Sequence, residues 1–207
     1  MIHTMKNNQI EFIKFISGYA EENNIHIWLG GSFLNGYSTP FSDIDISVFC
    51  DSEQLNKLIY EYDKPVFISH TSNPAGILII IYKDNIALDL EIIENIQCNC
   101  DTYFHKEDIH KKAYSRNENI YKQLVLSDDA PYQISRLFHR SLIKFLSGKK
   151  SAGISVFNEI LSFLNAERIS DENEFKKVYM EILDLFKLQF GMEYDYYALL
   201  CDLAGYL

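Results

Sequence analysis

The apolar positions of the chain change period along its length, and the changes mark its elements. Ile10, Ile13, Ile16, Tyr19 and Ala20 recur at helical spacing among Lys14, Glu21 and Glu22. This predicts an amphipathic helix over residues 6–23, ended by Asn23-Asn24. Residues 25–29 (IHIWL) form a short β-rich run closed by Gly30-Gly31, and Ser32 is placed to cap a helix of about one or two turns ending near Gly36. Over residues 43–49 the period becomes two: Asp43, Asp45, Ser47 and Phe49 point one way, Ile44, Ile46 and Val48 the other. That is a half-buried strand with a polar face. Residues 52–60 read as a short helix with Leu55, Leu58 and Ile59 inward, and residues 65–69 as an edge strand, Pro65 standing where a missing N–H costs least. A hairpin follows, in which residues 77–82 (ILIIIY) are apolar, Lys83-Asp84-Asn85 turns, and residues 86–93 (IALDLEII) return. On the return strand Ala87, Asp89 and Glu91 share one face.

Between residues 97 and 119 the pattern weakens, with a helix expected near 106–114, and residues 120–126 (IYKQLVL) read as a further strand. The polar, Pro-containing stretch Ser127-Asp128-Asp129-Ala130-Pro131 is the expected domain boundary. Beyond it residues 133–147, 154–164, 174–190 and 194–206 all have helical periodicity, with Gly148, Gly153 and Gly191 marking ends or joints. The fold class expected is α/β in the broad sense (α+β). Residues 1–130 are expected to form one domain with a mixed sheet flanked by helices, and residues 131–207 a helical bundle.

Composition narrows the partners. Lys+Arg 19 against Asp+Glu 29 in 207 residues leaves a net charge of −10, which repels nucleic-acid phosphates and anionic lipid and favours cationic ligands. No run approaches the ~18 apolar residues of a membrane span, and the polar N-terminus lacks a signal-peptide core, so a cytoplasmic setting is expected. Cys50, Cys98, Cys100 and Cys201 show no zinc-type spacing with the histidines and are expected to be reduced.

The candidate chemistry lies in residues 29–49, LGGSFLNGYSTPFSDIDISVF. Asp43 and Asp45 lie on one strand face, their Cα atoms roughly 6–7 Å apart. Such a pair repels unless a cation sits between, and it suits hard divalent ions of the Mg²⁺ type. Asp89 or Glu91 on the hairpin strand can supply a third carboxylate. Gly30-Gly31-Ser32 lets backbone approach a triphosphate and offers a hydroxyl. Taken singly, a Gly-Gly turn, a DxD strand or a hairpin acid is commonplace. Their order along the chain is the signal.

Gly31-Ser32, ten intervening residues, then Asp43-Ile44-Asp45 and an apolar strand resemble the signature of polymerase-β-type nucleotidyltransferases. A compact domain followed by a bundle is most similar to the aminoglycoside and lincosamide nucleotidyltransferases. The resemblance implies Asp43, Asp45 and Asp89 as ligands of a two-Mg²⁺ site and Gly31 and Ser32 as the triphosphate turn, with Ser42 also near phosphate. It further implies Asp89 or Glu91 as the base that deprotonates an acceptor hydroxyl. Arg136, Arg140 and Lys144, spaced i, i+4, i+8, form one basic stripe suited either to phosphate or to solvent.

The expected activity is transfer of a nucleoside monophosphate, AMP from ATP, onto a hydroxyl of a small molecule such as an aminoglycoside or lincosamide antibiotic, with release of pyrophosphate. The resulting phenotype would be antibiotic resistance. The alternative is a nucleotidyltransferase-type antitoxin or regulatory partner that binds or adenylylates another protein. No long nucleic acid and no membrane is expected as partner, and a homodimer through the aromatic-rich bundle is compatible with the composition.

Overall fold

The computed structural model describes residues 2–72, 75–93, 96, 101–106, 124–125 and 127–207. It divides into two compact units, Met1–Leu126 and Ser127–Leu207. The first unit contains α1 (Ile2–Asn23), β1 (His26–Leu29), α2 (Gly31–Leu34), β2 (Ile44–Phe49), α3 (Ser52–Tyr62), β3 (Phe67–Ser72), β4 (Ala75–Ile81), β5 (Ala87–Ile92) and β6 (Phe104–His105). The six strands form one sheet in the order β3-β4-β5-β2-β1-β6. β3, β4 and β5 run antiparallel in sequence, β5 lies parallel to β2, β2 antiparallel to β1, and β1 parallel to β6. This is a mixed sheet of α+β type, as the changes of period predict.

One sheet face is apolar and holds the core. Ile44, Ile46 and Val48 of β2 and Leu88, Leu90 and Ile92 of β5 pack with Phe12 and Ile16 of α1 and with Leu55, Leu58 and Ile59 of α3. Burying each such side chain is worth about 1.5–3 kcal/mol. The period-two face is therefore fixed in direction, because a slip of one residue would drive the carboxylates into this core. The buried stripe of α1 is Gln9, Phe12, Ile16, Tyr19 and Ala20, whereas Ile10 is 43% exposed. The aromatic cluster sets that rotation: Phe12 meets Tyr62 edge-on, centroids 4.7 Å apart, and lies 6.0 Å from Tyr82. Asp51 caps α3 in a capping box, accepting from Gln54 N–H at 2.8 Å while Gln54 Oε1 accepts from Asp51 N–H at 3.1 Å.

Several expectations change. Ser32 is not a cap: α2 is a single turn with Gly30 as its N-cap and no capping side chain. β6 was not foreseen, being two residues within the weak stretch. Most of the helix expected at 106–114 and of the strand expected at 120–126 lies outside the described residues. Cys50 and Cys201 are free thiols, and burial pushes Cys50 up to about 12. Cys98 and Cys100 lie outside the described residues.

The second unit consists of α4 (Ala130–Leu146), α5 (Lys150–Phe163), α6 (Glu172–Phe190) and α7 (Tyr194–Ala204). The polar stretch before it starts a helix as well as breaking the chain. Asp129 accepts from Tyr132 N–H at 2.7 Å as N-cap, and Pro131 sits in the first turn, where its missing N–H is harmless. Gly148 and Gly191 end helices with positive φ, but Gly153 lies inside α5 and is buried. A Cβ there would stand 2.7 Å from Ser141 O and 2.9 Å from Phe145 N, both backbone atoms of α4. Gly153 is thus where two helices touch backbone to backbone. Gly153→Ala is expected to lower stability by about 1–2 kcal/mol, because overpacking of a close crossing outweighs the gain in helix propensity; urea denaturation measures this.

Buried polar groups in this unit are tied to backbone: Tyr179 Oη donates to Phe138 O at 3.1 Å, and Tyr196 Oη to Ser135 O at 3.1 Å. His139 is 3% exposed, and burial lowers its pKa to about 4. The unfolded chain takes up that proton near pH 6.5 and the folded one only near 4. Stability is therefore complete above pH 6.5 and falls as pH drops through this window, by about 3 kcal/mol in total. His139→Gln is expected to flatten this part of the pH dependence, read as the urea midpoint between pH 7 and pH 4 for the variant against the parent chain.

Candidate active site

The sheet face opposite the core carries the polar residues, and strand register orders them in rows. Asp45 of β2 pairs with Asp89 of β5, so the two carboxylates come from directly neighbouring positions on one face. Adjacent strands stand about 4.8 Å apart, which is within bridging range of a shared cation. One step along the strands, Ile77 pairs with Glu91, Glu91 with Ser47, Ser47 with Trp28, and Trp28 with His105. The face thus has an acidic row, Asp89–Asp45, and a mixed row, Glu91–Ser47–Trp28–His105.

A cleft of about 340 Å³ opens over both rows, lined by Asp45, Asp89, Glu91, Ser47 and Trp28 together with Gly30, Gly31, Leu34, Asn35 and the apolar Ile77. The glycine turn closes one side. Gly30 N–H donates to Asp45 O at 2.8 Å, which sets the turn against β2. Gly31 has φ +57, and a Cβ there would sit 1.6 Å from Asp45 Oδ2. The carboxylate therefore fills the space that a side chain would take, and only glycine permits both the backbone angle and the approach. Asn35 Nδ2 donates to Gly31 O at 2.7 Å and holds the single turn of α2.

The other expected site residues are placed as follows. Ser32 Oγ is buried and, among the described residues, has no hydrogen-bond partner. Asp43 precedes β2 by one residue, half-buried, and is not among the residues lining the cleft. Ser42 Oγ is occupied in its own loop, accepting from Thr39 N–H at 2.9 Å with Thr39 Oγ1 at 3.3 Å. The sequence reading missed Gln9, whose Nε2 donates to Ser42 O at 2.9 Å and Pro40 O at 3.3 Å, tying the loop before the DxD to α1. A glutamine within an apolar helical stripe was the available signal. Arg136, Arg140 and Lys144 lie on α4 in the second unit, each half-buried.

Among the described residues, no three His, Cys, Asp or Glu side chains converge on one point as a ready metal cage. The residues nevertheless fit a hard divalent cation in donor type and in strand position: Asp45 and Asp89 are in register, and Asp43 is two residues before Asp45. The orphaned Ser32 hydroxyl and the glycine cradle fit an anionic oxygen in the same way. Among the described residues no helix is long and apolar enough to cross a membrane.

A comparison with curated proteins finds no match. The family model described as nucleotidyltransferase domain matches residues 7–196, nearly the whole chain, a range that includes the glycine turn, the DxD strand and the hairpin acid described above. The chain belongs to the nucleotidyltransferase-domain family.

Proposed function

We propose that this protein is a Mg²⁺-dependent nucleotidyltransferase that moves a nucleoside monophosphate, AMP from ATP, onto a hydroxyl of a small acceptor and releases pyrophosphate. The observation that carries the reading is the pairing of Asp45 with Asp89, with Gly31 held against the Asp45 carboxylate. Divalent cations held by Asp43, Asp45 and Asp89 would neutralise charge on the triphosphate and on the attacking and leaving oxygens. The chain's own groups do the rest. The backbone of Gly30 and Gly31 and the Ser32 hydroxyl orient the phosphates. Glu91, one row beyond the proposed metal ligands, accepts the proton of the acceptor hydroxyl as its oxygen bonds to the α-phosphorus and the bond to the β-phosphate oxygen breaks. Residues 1–130 form the catalytic domain in this reading and residues 131–207 its helical companion.

An acidic chain with an acid-lined cleft suits a cationic or neutral acceptor such as an aminoglycoside or lincosamide better than an anionic one. The test is incubation with α-labelled ATP, Mg²⁺ and a panel of these antibiotics. Label on an acceptor, with stoichiometric pyrophosphate, is the expected result. Label appearing only on a co-purifying protein would replace the small-molecule reading by the regulatory one, and no label and no pyrophosphate would overturn it.

A further inference from the structure

The mixed row contains a feature that the transfer chemistry leaves unused. Trp28 is among the residues lining the cleft, is 1% exposed, and among the described residues its indole N–H has no hydrogen-bond acceptor. The ring is held firmly. It stacks on His105 with centroids 4.4 Å apart and planes 11° apart, and His105 Nε2 lies 3.0 Å from Nδ1 of His26. Ile93 and Ile96 pack against the same indole. A buried indole N–H normally finds a partner, and leaving a donor unsatisfied costs about 1–3 kcal/mol. Phenylalanine would give much the same stack at this position without the orphaned donor. An indole there has a donor that the protein itself leaves unsatisfied and that a bound molecule in the cleft can satisfy.

Register says where such a molecule would lie. Trp28 and Glu91 flank Ser47 from opposite sides, with one strand between them, so their Cα atoms are about 10 Å apart. We propose that Trp28 is a specificity-determining residue: its indole N–H donates to an oxygen of the acceptor molecule whose reacting hydroxyl lies at Glu91. The ligand class is then a compact, oxygen-rich molecule with at least two oxygens, one losing its proton at Glu91 and one offering a lone pair at Trp28, as in a sugar or cyclitol ring system. A mono-alcohol that reaches Glu91 alone leaves the donor buried and unpaired and is discriminated against. This inference rests on the proposed function and assigns the acceptor side of that cleft.

Trp28 is the single tryptophan of the chain, so its emission reports on this cleft alone. The experiment takes the acceptor labelled in the antibiotic panel and titrates it into the full chain in the presence of Mg²⁺ and a non-hydrolysable ATP analogue. A saturable red shift of the emission is expected, as the indole N–H gains a partner. In the kinetic arm Trp28→Phe is expected to raise the acceptor KM about tenfold while kcat and the KM for ATP stay near those of the parent and the ligand-free melting temperature stays level or rises. A purely structural tryptophan would, when replaced, lower the melting temperature and raise the ATP KM together. If an acceptor is labelled but its KM is unchanged in Trp28→Phe, or if Trp28→Phe fails to fold and the parent's emission does not respond, the role of Trp28 is wrong and the transferase reading stands. If no acceptor is labelled, both fall.

Discussion

Asp45→Asn is expected to reduce turnover by about three orders of magnitude while leaving the fold intact. The amide keeps the shape of the side chain but loses the charge that, with Asp89 in the neighbouring strand position, would hold a divalent cation. Metal-assisted charge stabilisation is worth several kcal/mol, and each 1.4 kcal/mol is tenfold in rate. The accompanying stability change separates this from simple damage. Without divalent cations the variant is expected to melt at the same temperature as the parent or higher, because one of the facing carboxylates no longer repels the other. Addition of Mg²⁺ and ATP is expected to raise the melting temperature of the parent and not that of the variant, since only the former binds the ion in its native state. A parent chain that gains no stability from Mg²⁺ and ATP, together with an Asp45→Asn chain of unchanged activity, would remove the metal role from this site.

Gly31→Ala carries the second large effect, about a hundredfold or more in kcat. The new Cβ would arrive 1.6 Å from Asp45 Oδ2 and 2.5 Å from its Cγ, in a backbone with φ +57. The obstructing atom is the end of a side chain, so the chain can fold by turning the carboxylate away. The left-handed backbone adds about 1–2 kcal/mol for any residue with a Cβ. Gly36 supplies the control: its φ is +76, yet nothing lies within 4 Å of a Cβ placed there. Gly36→Ala is expected to cost the same backbone strain and keep the activity. Equal loss of activity in the two variants would mean that strain in the loop, and not displacement of Asp45, is what Gly31 prevents.

Much of the polar sheet face is visible in residue order. Alternation in β2 and β5 separates Asp45, Asp89 and Glu91 from Ile44, Ile46, Leu88 and Leu90, since apolar side chains seek one side and carboxylates cannot follow them. The Lys83-Asp84-Asn85 turn is equally plain, and Asn85 takes the positive φ of 64 that asparagine tolerates. Less visible was the part played by each residue on that face. Ser32 reads as a helix cap and is instead a buried hydroxyl within a single turn. Ser42, which reads as a phosphate contact, also has a role in its own loop, where its hydroxyl accepts from Thr39 N–H. Both depend on a loop path that composition does not specify. Gly153 reads as a joint because a glycine within a helical pattern looks like a break, and the contact with Ser141 and Phe145 comes from a different helix.

The local chain therefore determined the elements, the polar face and the residues able to carry the chemistry, because side-chain period and turn preference act over a few neighbouring positions. Pairing between distant strands decided the arrangement. Parallel β2–β5 register sets Asp89 beside Asp45 and moves Glu91 one row on, and the two-residue β6 brings His105 against Trp28. A period of two tells which way each residue faces but not which partner it meets, and the partners are chosen by the burial of the whole opposite face of the sheet.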